Sequence, residues 1–153
     1  MNDLISALPV RRTAVLRLIN PDVRRVFFRV TEDFTPNLSD YLLAAILPTS
    51  DLEEVFRLCQ HDMHDGQPWY KQPGLQLLMP LPPARGTEEH DHFMLSAQFY
   101  AYTSLSVGDI AIIEGDNALY VCDSFGWKRF ELAPEDRNIT AAKVFPVFPL
   151  QAE

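Results

Sequence analysis

Residues 109–132 carry three short apolar runs separated by two turn sequences, and this spacing restricts the C-terminal half of the chain to a small antiparallel meander. Asp109-Ile110-Ala111-Ile112-Ile113 is β-branched and apolar, Glu114-Gly115-Asp116-Asn117 has turn chemistry, and Ala118-Leu119-Tyr120-Val121-Cys122 is apolar again. Asp123-Ser124-Phe125-Gly126 turns the chain once more into Trp127–Leu132.

The N-terminal half is punctuated by proline. Thr13–Ile19 is β-branched and apolar and stops at Asn20-Pro21, which reads as a first strand and a turn. Val23–Val30 reads as a second strand, closed by Thr35-Pro36-Asn37. Arg17 and Arg29 fall on the polar side of these alternating patterns and are expected to face water. Tyr41–Leu47 ends at Pro48 and is read as a buried strand, with a short helix from Leu38 as its rival. Ser50 followed by Glu53 has capping-box spacing. With Leu52, Val55, Phe56 and Cys59 at helical spacing, it predicts a helix over about 51–60.

Residues 61–92 hold five prolines, three glycines and all four histidines, and read as a long loop around one apolar island, Leu75–Met79. Phe93–Tyr100 alternates in part and reads as a strand. Ala142–Phe148 reads as an edge strand, because Pro146 cannot serve a central ladder. The fold class expected is α+β in one domain over 1–153. It is mainly an antiparallel sheet or small open barrel, with one short helix and the Pro-rich loop.

No apolar run reaches the roughly 18–20 residues of a membrane span, and Met1–Pro9 lacks the pattern of a signal peptide. A cytoplasmic protein is expected. Cys59 and Cys122 are read as two buried thiols of a reducing compartment rather than a disulfide. The net charge of −8 is uneven: residues 1–30 hold six Arg against Asp3 and Asp22 (6 − 2 = +4), and the remainder holds seven basic against nineteen acidic residues (7 − 19 = −12). Such a surface disfavours non-specific nucleic-acid binding, leaving the N-terminal arginines as the one local exception.

Two groups of residues are candidates for function. His61, His64, His90 and His92, with neighbouring Asp groups, have the donor chemistry of a zinc or other divalent-metal site, and would support a metal-dependent hydrolase. The rival reading is a solvated polar loop, since the spacing matches no metalloenzyme signature. Trp69, Tyr70, Tyr102 and Trp127 are four candidates for a protein-binding groove, with Phe99, Tyr100 and Phe125 beside them. Trp69-Tyr70, between Pro68 and Pro73, is the better placed for exposure, and Phe125 and Trp127 are more readily read as core.

Ser104-Leu105-Ser106-Val107-Gly108-Asp109-Ile110-Ala111-Ile112-Ile113, together with Tyr120-Val121-Cys122-Asp123-Ser124-Phe125-Gly126-Trp127, resembles the YodL-like domain family. Thr49–Phe56 resembles the short helix that precedes this run in the same family. The resemblance implies a setting rather than a reaction, because its members come from bacterial mobile genetic elements such as conjugative plasmids and have no established activity. The resulting expectation is a non-enzymatic accessory protein acting through a protein partner, in defence inhibition or conjugation. The metal-dependent hydrolase is the alternative.

Overall fold

In a computed structural model, described over residues 11–25, 30–31, 34–61 and 67–132, the chain forms a six-stranded, wholly antiparallel open sheet. The strands are β1 (Thr13–Leu18), β2 (Tyr41–Leu47), β3 (Gln76–Leu77), β4 (Ile110–Ile113), β5 (Ala118–Asp123) and β6 (Gly126–Glu131). Their order is β3-β2-β1-β4-β5-β6, so the first strand of the chain lies in the interior and β3 and β6 form the edges. The expected C-terminal meander is β4-β5-β6, and Tyr41–Leu47 is a strand.

Every residue of β1 is buried, because both faces of the sheet are covered. Continuous rather than alternating hydrophobicity is what a doubly covered strand requires. One face packs Ala14, Leu16, Leu18, Ile110, Ile112 and Val121 beneath the segment that contains Val30, Phe34 and Leu38. The other packs Val15, Ala45, Leu47 and Cys122 against Val55, Cys59, Trp69, Tyr102 and Leu105. Arg17 therefore does not face water: its side chain is wholly buried, and the expectation from alternation fails because the face it occupies is covered.

Among the described residues, three α-helices stand where one was expected, α1 (Pro21–Arg25), α2 (Leu52–Leu58) and α3 (Glu88–Met94), and a 3₁₀ turn, η1 (Leu38–Asp40), precedes β2. The strand read over Val23–Val30 begins instead as α1, with Pro21 at its first position, where proline's fixed φ suits a helix start. Residues 26–29, including Arg29, lie outside the described residues. The α2 cap is Asp51 rather than Ser50: its carboxylate accepts from the Glu53 N–H at 3.0 Å, and its own N–H donates to Thr49 Oγ1. Val55 and Cys59 face the core, whereas Phe56 is largely solvent-facing.

The Pro-rich segment is more structured than a loop. It contributes a 3₁₀ turn, η2 (Trp69–Lys71), the edge strand β3, and the first part of α3. The strand read over Phe93–Tyr100 is the end of α3 followed by a further 3₁₀ segment, η3 (Ala97–Tyr102). Thr87 Oγ1 accepts from the His90 N–H at 3.1 Å, and Glu88, Glu89 and Asp91 occupy the first turn of α3, where negative charge complements the free N–H groups. The strand read at 142–148 lies outside the described residues. Among the described residues no helix is long and apolar enough to cross a membrane.

Candidate functional site

The run Ser104–Ile110 stitches the helical layer to the sheet. The Leu105 N–H donates to Cys59 O, the Gln60 side chain donates to Leu105 O, and the His61 N–H donates to Ser104 Oγ, each near 3.0 Å. Gly108 adopts φ of +99°, a conformation open chiefly to glycine, and this lets Val107-Gly108 reverse the chain tightly before β4. Tyr41 Oη donates to Gly108 O at 2.7 Å from inside the core.

Asp109 is the hub of this region. One carboxylate oxygen accepts from the Leu18 N–H at 2.8 Å and from Arg24 at 3.2 Å, and the other accepts from the Ser106 N–H at 2.9 Å. Arg17 Nε lies 2.9 Å from Oδ2, although its N–H is not aimed for a hydrogen bond, so the contact is electrostatic. The rest of the Arg17 guanidinium donates to the backbone carbonyls of Tyr100, Ala101, Thr103 and Ser104 and to Thr103 Oγ1. A buried cation thus anchors η3 and the turn after it against β1.

That anchorage positions one wall of a cleft of about 1210 Å³, open to solvent along one side. Its other walls come from His61, three residues after α2, from Pro68, Tyr70 and Lys71, from the stretch 81–86, and from His90, Phe93 and Met94 of α3. Pro82 and Pro83 stiffen the 81–86 wall by fixing φ. Phe99, Tyr102 and Thr103 complete the lining.

The aromatic rings form a connected chain. Tyr70 meets Tyr102 edge to face at 5.5 Å, Tyr102 meets Phe93 at 4.8 Å, and Phe93 meets Phe99 at 5.7 Å. His61 and Trp69 extend the chain at the Tyr70 end, at 6.4 and 5.8 Å. Edge-to-face pairs of this kind contribute about 0.5–1.5 kcal/mol each beyond the area they bury. Tyr102 Oη also donates to Pro80 O at 2.6 Å, tying η3 to the proline wall. Burial raises the Tyr70 and Tyr102 phenols above their ordinary value, so both are neutral donors.

Of the four aromatic candidates, Tyr70 and Tyr102 are brought together in the cleft. Trp69 is fully buried behind Tyr70, contrary to the expected exposure, because its ring fills the core between α2 and η3 and lies 5.6 Å from the Arg17 guanidinium. Its indole N–H has no acceptor among the described residues. Trp127 sits on β6 opposite Cys122, half-buried against the same core and away from the cleft. Phe125, expected in the core, is 99% exposed at the β5–β6 turn.

His61 and His90 line the cleft, whereas His92 is exposed in the last turn of α3 and His64 lies outside the described residues. The His61 Nδ1 accepts from the Trp69 N–H at 3.1 Å and is committed to that bond. Burial, then the charge of Arg17, lowers the His61 pKa. Among the described residues, no group of three or more His, Cys, Asp or Glu converges to hold a metal ion. Phe99, also a groove candidate, lines the cleft, whereas Lys71, Leu81, Arg85 and Phe93 carried no signal of their own in the sequence. The signal that marks this wall is the stiff Pro80-Leu81-Pro82-Pro83 run beside an aromatic-rich helix end. Comparison with protein-family models, with curated proteins and with solved structures gives no match.

Proposed function

We propose that this chain is a non-enzymatic binding protein whose cleft holds a segment of a partner protein. The observation that carries the reading is the chain of edge-to-face aromatic contacts from Tyr70 through Tyr102 and Phe93 to Phe99, which forms part of an open, partly apolar lining. Rigid aromatics present large contact area at low entropic cost, and such residues dominate interface energetics. Exposed Leu81 and Met94 add apolar surface around them.

The nucleophilic side chains support binding over catalysis. Cys59 and Cys122 are buried, and desolvation pushes both thiols up to about 12, which leaves them inert at neutral pH. Ser104 and Ser106 are engaged in structural hydrogen bonds. The resemblance of Ser104–Ile113 and Tyr120–Trp127 to the YodL-like family supplies the setting, an accessory protein of a bacterial mobile element acting in the cytoplasm.

Photo-crosslinking tests the reading directly. A photoreactive side chain at Met94 should yield a discrete adduct in host cells, and one at Phe125, which does not line the cleft, should not. The Met94 adduct should disappear in Tyr70→Ala. Equal crosslinking from both positions, or an adduct indifferent to Tyr70→Ala, would refute it.

A further inference from the structure

Resting on that binding reading, we infer that the cleft takes an acidic protein segment carrying an aromatic or large aliphatic anchor. The overall charge of −8, from 21 acidic and 13 basic residues, suits a basic partner. The cleft has the opposite sign. Its described lining includes Lys71, Arg85, His61 and His90, and no carboxylate.

Pairing sharpens the contrast. Arg12, Arg17, Arg24, Arg57 and Arg129 each meet a carboxylate within the chain. Lys71, Arg85, Arg11 and Lys128 have no such partner among the described residues, and of these Lys71 and Arg85 line the cleft. Two such cations at the wall of one aromatic cleft whose described lining holds no carboxylate are electrostatically complementary to an anionic occupant. The Arg85 charge is near enough to act on the Tyr70 phenol, so the cationic and aromatic elements belong to one surface.

Size favours a polypeptide. The cleft, at about 1210 Å³ and open along one side, exceeds the roughly 300–1,000 Å³ of sites that enclose a small molecule. Aromatic rings beside cations also suit single-stranded nucleic acid, but a polyanion meets the net −8 of the whole protein, whereas a short acidic segment confines its charge to the cleft.

The test uses the full chain and fluorescent peptides with a central Trp flanked by Asp and Glu, the same peptide with Lys flanks, and an acidic peptide without the aromatic. Anisotropy should show binding of the acidic aromatic peptide alone. Lys71→Glu with Arg85→Glu should weaken it by about tenfold or more and shift preference to the Lys-flanked peptide, an effect that shrinks as salt rises. Both side chains are exposed, so the reversal leaves the fold intact, as circular dichroism would verify. Equal affinity for acidic and basic peptides, with no effect of the reversal, would overturn the charge selectivity while leaving the binding reading in place. Tighter capture of a single-stranded oligonucleotide, or full competition by millimolar phosphate, would also overturn it. A Met94 crosslink unaffected by Tyr70→Ala would remove the binding reading itself.

Discussion

Arg17 Nε lies 2.9 Å from Asp109 Oδ2 with both side chains completely excluded from solvent, so an interior strand and the turn before β4 share one buried ion pair. Removing one partner strands the other charge in the core. Asp109→Ala is therefore expected to cost about 3–5 kcal/mol. Arg17→Lys should be destabilising as well, because an ammonium cannot reproduce the planar fork that serves four carbonyls and a hydroxyl. Urea unfolding measures both, and a loss below about 1 kcal/mol in Asp109→Ala would contradict the assignment.

Cys59, Cys122 and Tyr41 set the alkaline limit. Burial pushes the two thiols up to about 12 from an ordinary 9.0. Tyr41 is raised too, chiefly by burial and then by the Asp109 and Asp40 carboxylates. Above about pH 9 the unfolded chain releases thiol protons that the native state retains, so the native state is the better proton binder and stability falls as pH rises. The urea midpoint should hold steady from pH 7 to 8.5 and decline from about pH 9 onward. Native protein should also leave a thiol-specific chromogenic reagent unreacted until denaturant is added.

The bond from the Trp69 N–H to His61 Nδ1 sets a limit on the acid side. A protonated Nδ1 cannot accept it, and burial followed by the Arg17 charge lowers the imidazole pKa. Below about pH 6.5 the unfolded histidine gains a proton that the native one refuses. Its contribution is present above that pH and is lost as pH falls through the native value. NMR titration should place His61 below the ordinary imidazole value, and His61→Gln should flatten the acid arm of the stability curve. A normal His61 titration would count against the bond.

Trp69 and Phe125 should respond oppositely to truncation. Trp69 is wholly buried, so Trp69→Ala should cost about 3–5 kcal/mol. Phe125 is 99% exposed at a hairpin turn, so Phe125→Ser should change stability by no more than about 0.5 kcal/mol while raising solubility. Thermal or urea unfolding of the two variants decides the point.

These two residues also show what was legible in the sequence. The meander was readable because consecutive hairpins announce themselves through local turn chemistry, and β5–β6 realises it with Gly126 at φ of +96°. Burial was not readable, because it depends on contacts distant in sequence. Arg17 looks solvent-facing by alternation, and only the carbonyls of residues 100–104 make its burial tolerable. For α3 a signal existed, since Thr87 followed by Glu88 and Glu89 marks a helix start, but the aromatic periodicity of 93–100 concealed it. The cleft assembles walls from the segment after α2, from η2, α3 and η3, so only Tyr70, Phe99, Tyr102, His61 and His90 among its lining stood out beforehand.

The interior position of β1 bears on how the protein is made. Thr13 pairs with Leu47 on one side and with Ile113 on the other. At synthesis rates of about 5–20 residues per second, the β4 edge becomes available on the order of 5–20 s after β1 has emerged. During that interval a nascent chain can form the β1–β2 pair, but it leaves the second edge of a strand destined for complete burial unpaired and Arg17 without Asp109. Ribosome stalling or truncation before residue 113 should therefore yield a sticky, chaperone-dependent fragment, because one rim of the sheet, β3, is synthesised before β4 completes its interior.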